Sequence, residues 1–456
     1  MNTSMNRRNF LQLSASFGAF AGLASLGNSQ SAQAATAAAQ SGGYKALVCV
    51  FLFGGNDGHN TVVPLSSAQY NAYLAARPGI SLAANQLLPI NDAAQGAFGL
   101  HYLMPEMQTL YQQNKLAIVP NVGMLVRPTT YQNYQQNYQL PLQLRSHADQ
   151  VVEMQTGIPN SGGSTGWGGR ALDLMQNVNA NAQFPLAVAM NSPALFCSGA
   201  VVQGTSLQPG NLLDQAAMGV YPPATAQARM QAQMQSTAPG SGNAIIDAAN
   251  KVMTDANTLN PLLKSAGGGA VAGFPSSVLG NQLKEVARVI SLQAQLNVAR
   301  QVFFVSLGGF DTHAGQSYQQ GVLLQQVSQA LKAFNDAMVT MGMDNQVTAF
   351  TMSDFGRTLQ PSGTGCDHGW GNHHFVVGGA VNGGKLFGQF PQMTNYLNFN
   401  SSAEDYADQR GTLLPHWSLS QYAATLAKWF GAADAQLDGL FPTLPSFAVR
   451  DVGFMF

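Results

Sequence analysis

Six short, nearly unbroken apolar runs constrain this chain more than any other feature of it. They read YKALVCVFLF (44–53), KLAIVP (115–120), FPLAVAM (184–190), QVFFVSL (301–307), QVTAFTM (346–352) and HFVVGG (374–379). Runs of this length, rich in β-branched residues and without polar alternation, fit strands covered on both faces, as in a parallel sheet. Parallel neighbours need crossovers, and one is visible between the runs at 301 and 346. There Leu324, Val327, Leu331, Phe334 and Met338 recur at three- and four-residue steps, the mark of an amphipathic helix. Further helices are expected over 277–297 and 421–431, the latter stopped by Gly431. The predicted class is α/β, with a mostly parallel central sheet flanked by helices.

With 46% hydrophobic residues in 456, the chain can bury a large core. Its 20 Lys+Arg against 21 Asp+Glu leave a net charge of −1, so there is no electrostatic case for nucleic acid or anionic membrane as a partner. The first residues stand outside the fold. Arg7-Arg8 precede Asn9-Phe10-Leu11 and a mildly apolar Gly/Ala/Ser run, and Ala32-Gln33-Ala34 offers a cleavage site before Ala35. That run is shorter than the roughly 20 residues a bilayer span needs. Residues 1–34 are therefore expected to be a twin-arginine signal peptide, with the export machinery as partner and a periplasmic or secreted product without a membrane span.

Residues 44–456 are expected to form one domain with a helical, Ala/Gln/Gly-rich insertion at about 204–275, where AQARMQAQMQSTAPGSGNA and KSAGGGAVAG occur. Three cysteines, Cys49, Cys197 and Cys366, make no disulfide framework. A Cys197–Cys366 bridge stays open, as does the choice between packed thiol and soft metal ligand for Cys366. Tyr131, Tyr134 and Tyr138 fall on one helical face and read as a core stripe rather than a sugar-stacking platform.

The strands end alike. Gly54-Gly55-Asn56-Asp57 follows the first, Gly308-Gly309-Phe310-Asp311-Thr312-His313 the fourth, and Ser353-Asp354-Phe355-Gly356-Arg357 the fifth. Ligands of open α/β sheets bind at the carboxyl ends of strands, so Asp57, Asp311 and Asp354 converge if these strands are neighbours. Only 9% of residues are charged, yet 353–374 alone holds Asp354, Arg357, Asp367, His368, His373 and His374. Two like charges 4 Å apart repel by about 4 kcal/mol at an effective dielectric of 20. With only Arg145, Arg170 and Arg357 near these motifs, a divalent metal is the expected countercharge, and histidines of the same loops add nitrogen ligands. Of His373 and His374, adjacent in a strand, at most one is expected to face the metals. Finally, Ser146 with Asp149 reads either as a helix capping box or as a nucleophile at a helix N-terminus.

The leader, GGNDG (54–58), RSH (145–147), GW-x-GR (166–170), DTH (311–313), SDFGR (353–357) and DHGWG (367–371) follow in that order. The ordered set resembles a bacterial, Tat-exported family of unknown function within the alkaline-phosphatase-like superfamily. Phosphatases and sulfatases of that superfamily use a paired metal site and a nucleophilic Ser, Thr or formylglycine. The resemblance implies an alkaline-phosphatase-like fold and one or two divalent ions, with zinc, calcium, magnesium and manganese not distinguished. It implies Asp57 and Asp354 on one ion, Asp311, His313 and His368 on the other, and Ser146 as nucleophile. Two departures stand out: Phe355 occupies a place that usually holds histidine, and Asp311 and His313 are two residues apart where four is usual.

The expected function is a metal-dependent hydrolase of phosphate or sulfate esters. Its substrate would be a small anionic ester or a sulfated or phosphorylated saccharide, clamped by Arg145 or Arg357. The alternative is a non-catalytic metal-binding or assembly protein of the cell envelope on the same fold, which Phe355 favours. A Ser/His/Asp esterase is disfavoured, because no G-x-S-x-G elbow is present.

Overall fold

The computed structural model describes residues 43–160, 163–209, 271–399 and 405–456; the expected signal peptide and most of the expected insertion (210–270) lie outside them. The main sheet contains, in chain order, β1 (Lys45–Leu52), β2 (Leu116–Gly123), β3 (Ala187–Met190), β4 (Thr205–Leu207), β5 (Arg300–Leu307), β6 (Val347–Ser353), β7 (Asn372–Val377), β8 (Lys385–Leu386) and β9 (Trp417–Ser418). All six apolar runs are among them. Their spatial order is β8-β2-β7-β6-β1-β5-β3-β4, with β9 beside β2. Strands β6, β1, β5, β3 and β4 are mutually parallel, while β7 runs antiparallel between β6 and β2. The register sets Leu52 of β1 level with Leu307 of β5 and Ser353 of β6, so three strands end in line.

Among the described residues, the helices flanking this sheet include α1 (His147–Thr156), α2 (Val278–Ser291), α3 (Gln316–Thr340) and α4 (Leu419–Phe430). The period-two geometry of a strand sends Val48, Val50, Phe303 and Val305 to one face, against Leu283, Leu324 and Leu331 of α2 and α3. It sends Leu47, Cys49, Phe51 and Phe304 to the other, against Trp167 and against Tyr422 and Leu426 of α4. Helices on both faces explain why the strand sequences do not alternate. Fully burying each such side chain contributes about 1.5–3 kcal/mol.

Outside the main sheet, Val62–Pro64, Leu88–Asp92 and Gly96–Leu100 form a three-stranded sheet, and Arg357–Ser362 pairs with Gly365–His368 as a hairpin. The tyrosine expectation is corrected. The helix there spans only Tyr131–Gln135 and buries no residue. Tyr138 lies past its end, 46% exposed, so the three rings share no core face. All three cysteines are buried and free. Among the described residues no helix is long and apolar enough to cross a membrane.

Candidate metal centre

The aligned ends of β6, β1 and β5 deliver three loops to one place. Asp354 follows β6 directly and accepts the Gly54 N–H, which follows β1, at 3.1 and 3.2 Å. Asp311 arrives from β5. Gly54 has φ +110°, and a Cβ there would lie 2.4 Å from the Asp311 nitrogen, so the first and fourth strand-end turns meet only because this residue is glycine. The hairpin carries His368 in and packs straight onto the DTH loop, since a Cβ on Gly365 would sit 2.1 Å from the Thr312 carbonyl oxygen.

The fourth contributor is His147, the first residue of α1. Its Nδ1 lies 2.6 Å from Asp354 Oδ2 and its Nε2 lies 3.4 Å from Asp311 Oδ1. His368 mirrors it: Nδ1 is 2.7 Å from the Arg145 carbonyl oxygen, and Nε2 is 3.4 Å from the same Asp311 oxygen. His313 completes the set, with Nε2 3.0 Å from Asp311 Oδ1 and Nδ1 3.2 Å from Asp367 Oδ1. Arg145 adopts a left-handed backbone at φ 73°, costly for a residue with a Cβ, next to the carbonyl that meets His368.

These partners set the tautomers. Nδ1 of His147 faces a carboxylate and Nδ1 of His368 faces a carbonyl; both are acceptors, so both nitrogens carry the proton. The Nε2 atoms are then bare lone pairs, yet they face each other at 3.1 Å, and His313 Nε2 is 3.0 Å from His368 Nε2. An Asp311 oxygen stands beside all three. Acceptors gathered this closely repel unless a cation or proton lies among them. The ligating atoms of His147, Asp311 and His368 all lie within 4.8 Å of one another. The donor set fits a divalent metal, with each imidazole oriented from behind by a carboxylate or carbonyl.

Electrostatics around the cluster is uneven. Burial pushes the Asp311 carboxyl up, but the hydrogen bond and charge of Arg357, with His147 and His313, outweigh it and hold the group at about 2. Burial raises the Asp354 carboxyl against the lowering pull of His147 and the Gly54 N–H. Burial also lowers the His368 imidazole, against the raising bond to the Arg145 carbonyl. Phe355 is 2% exposed, and its ring centroid lies 4.7 Å from that of His147 and 4.9 Å from that of His368, an apolar wall behind both.

The structure thus brings together Asp311, His313, Asp354 and His368, while the Asp57 oxygens are held by other groups. The Asp57 Oδ1 accepts the His59 N–H at 3.0 Å, and its Oδ2 accepts from Arg77 and Gln316. The premise of uncompensated carboxylates is corrected here: Arg77 neutralises Asp57, and both side chains are fully buried. Arg357 also differs from the expectation of an anion clamp. It is 1% exposed and donates inward to the carbonyls of Gly54, Gly55, Phe310 and Cys366 and to Asp311 at 2.6 Å. Arg145 stays part-exposed beside the cluster, with Nη2 donating to Asp408 at 2.5 Å and Tyr134 at 2.7 Å. His373 and His374 are both buried, on opposite faces of the sheet, against Phe390 and Tyr422 respectively; Nδ1 of His373 accepts the Asn121 N–H at 3.0 Å, and burial lowers both rings to about 3.

Ser146 stands at the N-cap position of α1 but makes no capping bond; its hydroxyl donates instead to Asp149 Oδ2 at 2.5 Å. His147 and Arg77 are the residues that sequence reasoning missed. The RSH string contains His147, but nothing local says what lies opposite it. Arg77 follows the helix Ser67–Ala76, where a charged residue before proline looks like an ordinary helix end.

Residues 44–406 match the model of a protein family described as a protein of unknown function, DUF1501. The chain belongs to that family. No curated protein matches the sequence. Among solved structures, this DUF1501 chain is similar to Ps i-CgsB in complex with k-i-k-neocarrahexaose (10% identity, 90% of this chain and 77% of that one, TM-score 0.36). It is similar to the PsFucS1 sulfatase from Pseudoalteromonas sp. (10%, 86% and 77%, 0.30). It is also similar to the C-terminal periplasmic domain of EcEptC from Escherichia coli (11%, 90% and 86%, 0.33). Likenesses this distant say nothing of the chemistry of this chain.

Proposed function

We propose that this chain is an exported, metal-dependent hydrolase of phosphate or sulfate esters, with an alkaline-phosphatase-like active site. The observation that carries the reading is the 3.1 Å approach of the Nε2 atoms of His147 and His368 beside the Asp311 carboxylate. His147, Asp311 and His368 would hold the ion, with His313 at its edge. A set dominated by imidazole favours zinc or another transition metal over calcium and magnesium, which prefer oxygen ligands. An ion bound there supplies Lewis-acid polarisation of an ester oxygen.

The residues of the chain supply the rest. Ser146 is the attacking group: its O–H already points at Asp149, which takes the proton as Oγ bonds to phosphorus or sulfur. The leaving alkoxide takes a proton from water, and the hydroxide so formed takes the Asp149 proton. A second water then cleaves the seryl ester, its oxygen going to phosphorus or sulfur and a proton back to Oγ. The N–H groups of the first turn of α1 receive no side-chain cap from Ser146, which favours an anion at that end. Asp354 holds the His147 ring, and Arg357 holds Asp311, both as positioning residues.

A second reading, a metal-binding envelope protein without turnover, is favoured by Phe355 and by the inward commitment of Arg357, which leaves Arg145 of the two arginines expected to clamp an anion. The test is a panel of phosphate monoesters, phosphodiesters and sulfate esters offered to metal-loaded protein. Turnover that disappears in Asp311→Asn supports the hydrolase. Bound metal with no turnover across the panel gives the second reading the lead.

A further inference from the structure

We infer that the centre takes one metal ion per chain, and that the buried Arg77 guanidinium stands where the charge of a second ion would be needed. This rests on the proposed metal centre and concerns how many ions it holds. The superfamily pattern would give Asp57 and Asp354 an ion of their own. Neither carboxylate is left for it. Asp57 has zero side-chain exposure, and both its oxygens are occupied, one by the His59 N–H and the other by Arg77 and Gln316.

Arg77 cannot swing aside to make room. Its Nη1 donates to the carbonyls of Leu359 at 2.9 Å and Thr358 at 3.3 Å, and Nη2 lies 3.5 Å from Cys366 Sγ. A divalent ion on Asp57 would face a fixed guanidinium with no solvent between them. Asp354 is spent differently, accepting His147 Nδ1 at 2.6 Å and the Gly54 N–H with both oxygens. The position after it holds the Phe355 ring, which offers a metal nothing.

Charge leads the same way. Asp57, Asp311 and Asp354 face two buried guanidiniums, Arg77 and Arg357. With the Asp149 carboxylate beside Ser146, one divalent ion balances these charges. A second ion would leave two uncompensated positive charges, the nearest of them against the fully buried Arg77 guanidinium. Arg77 is a positioning residue here, acting through Asp57 and touching no substrate.

The experiment is a zinc titration of metal-stripped mature protein, read by calorimetry and by elemental analysis after desalting. One equivalent per chain is expected. The double variant Asp57→Asn/Arg77→Met, which removes both buried charges together, should still bind one equivalent. His147→Ala and Asp311→Asn should each lose it. In the wild type, imidazole nitrogen NMR should show Nε2 of His147 and His368 shifting together at a single equivalence point. Two equivalents in the wild type, with one lost in the double variant, would overturn the one-ion inference while leaving the centre and its hydrolytic reading intact. Loss of the single equivalent in a folded double variant would equally overturn it, by making Asp57 a ligand. No bound zinc in wild type would bring down the metal centre itself. One equivalent with no ester turned over would uphold the inference and count against the hydrolase.

Discussion

His147 and Asp354 are 207 residues apart in the chain, yet Nδ1 of the one lies 2.6 Å from Oδ2 of the other. The contact fixes which imidazole nitrogen is protonated and hence which is free to bind a metal. It ties the start of α1 to the end of β6, so a helix terminus becomes part of a strand-end site.

Asp354→Asn should keep the ring contact, because an amide oxygen still accepts from Nδ1–H, but it removes the charge that strengthens the ligand. Outer-shell changes of this kind typically lower metal affinity by about 10–100-fold. Competition against a chromophoric chelator should place Asp354→Asn between wild type and His147→Ala. Wild-type affinity in the variant would deny Asp354 its orienting role.

A metal bound only to the folded chain stabilises it by mass action, by about 2.7 kcal/mol at a free concentration one hundred times Kd. Chelation should therefore lower Tm, and zinc should restore it. An unchanged melting curve in protein shown to have lost its metal would argue against a centre built from His147, Asp311 and His368.

Ser146→Ala separates nucleophile from cap. A working N-cap is worth about 0.5–2 kcal/mol. Because the Ser146 hydroxyl goes to Asp149 rather than to backbone, the stability cost should fall at or below the lower end of that range. Turnover per metallated molecule should drop by orders of magnitude, with metal content intact. Near-wild-type turnover would leave water as the attacking group.

Glu153 lies on α1, 3% exposed; burial raises its carboxyl to about 7, against lowering hydrogen bonds from the Asn160 N–H and Gln150. A carboxyl raised on folding binds more protons in the native state, so stability falls as pH rises from its unfolded value near 4.5 through about 7. Glu153→Gln removes this term. Denaturant melts of the two proteins should show the variant gaining relative to wild type between pH 5 and pH 8. A constant difference across that range would mean that Glu153 titrates normally.

Export is tested by replacing Arg7 and Arg8 with lysine. Precursor should accumulate in the cytoplasm if the leader is of the twin-arginine type. Normal arrival of mature protein outside the cytoplasm would refute the assignment.

What the sequence determined by itself is everything that depends on local pattern. The apolar runs announced their strands because side chains buried on both faces leave no room for polar alternation. The step of Leu324, Val327, Leu331, Phe334 and Met338 announced α3 because a helix against a sheet needs an apolar stripe. Glycine and aspartate after three of the strands marked the loop ends, and the end-to-end register of β6, β1 and β5 sets the loops of Asp311 and Asp354 side by side. Only the tertiary structure decided which charges meet. Asp57 carries the same strand-end signature as Asp311 and Asp354, but the chain turns there into the short helix Gly58–Thr61, and Arg77 arrives to neutralise it. His147 looks like any first residue of a helix until the sheet sets Asp354, Asp311 and His368 around it. Hydrophobic burial is additive along the chain and so leaves a periodic trace. A charge pair depends on two residues far apart being folded to within a few ångströms, and that leaves none.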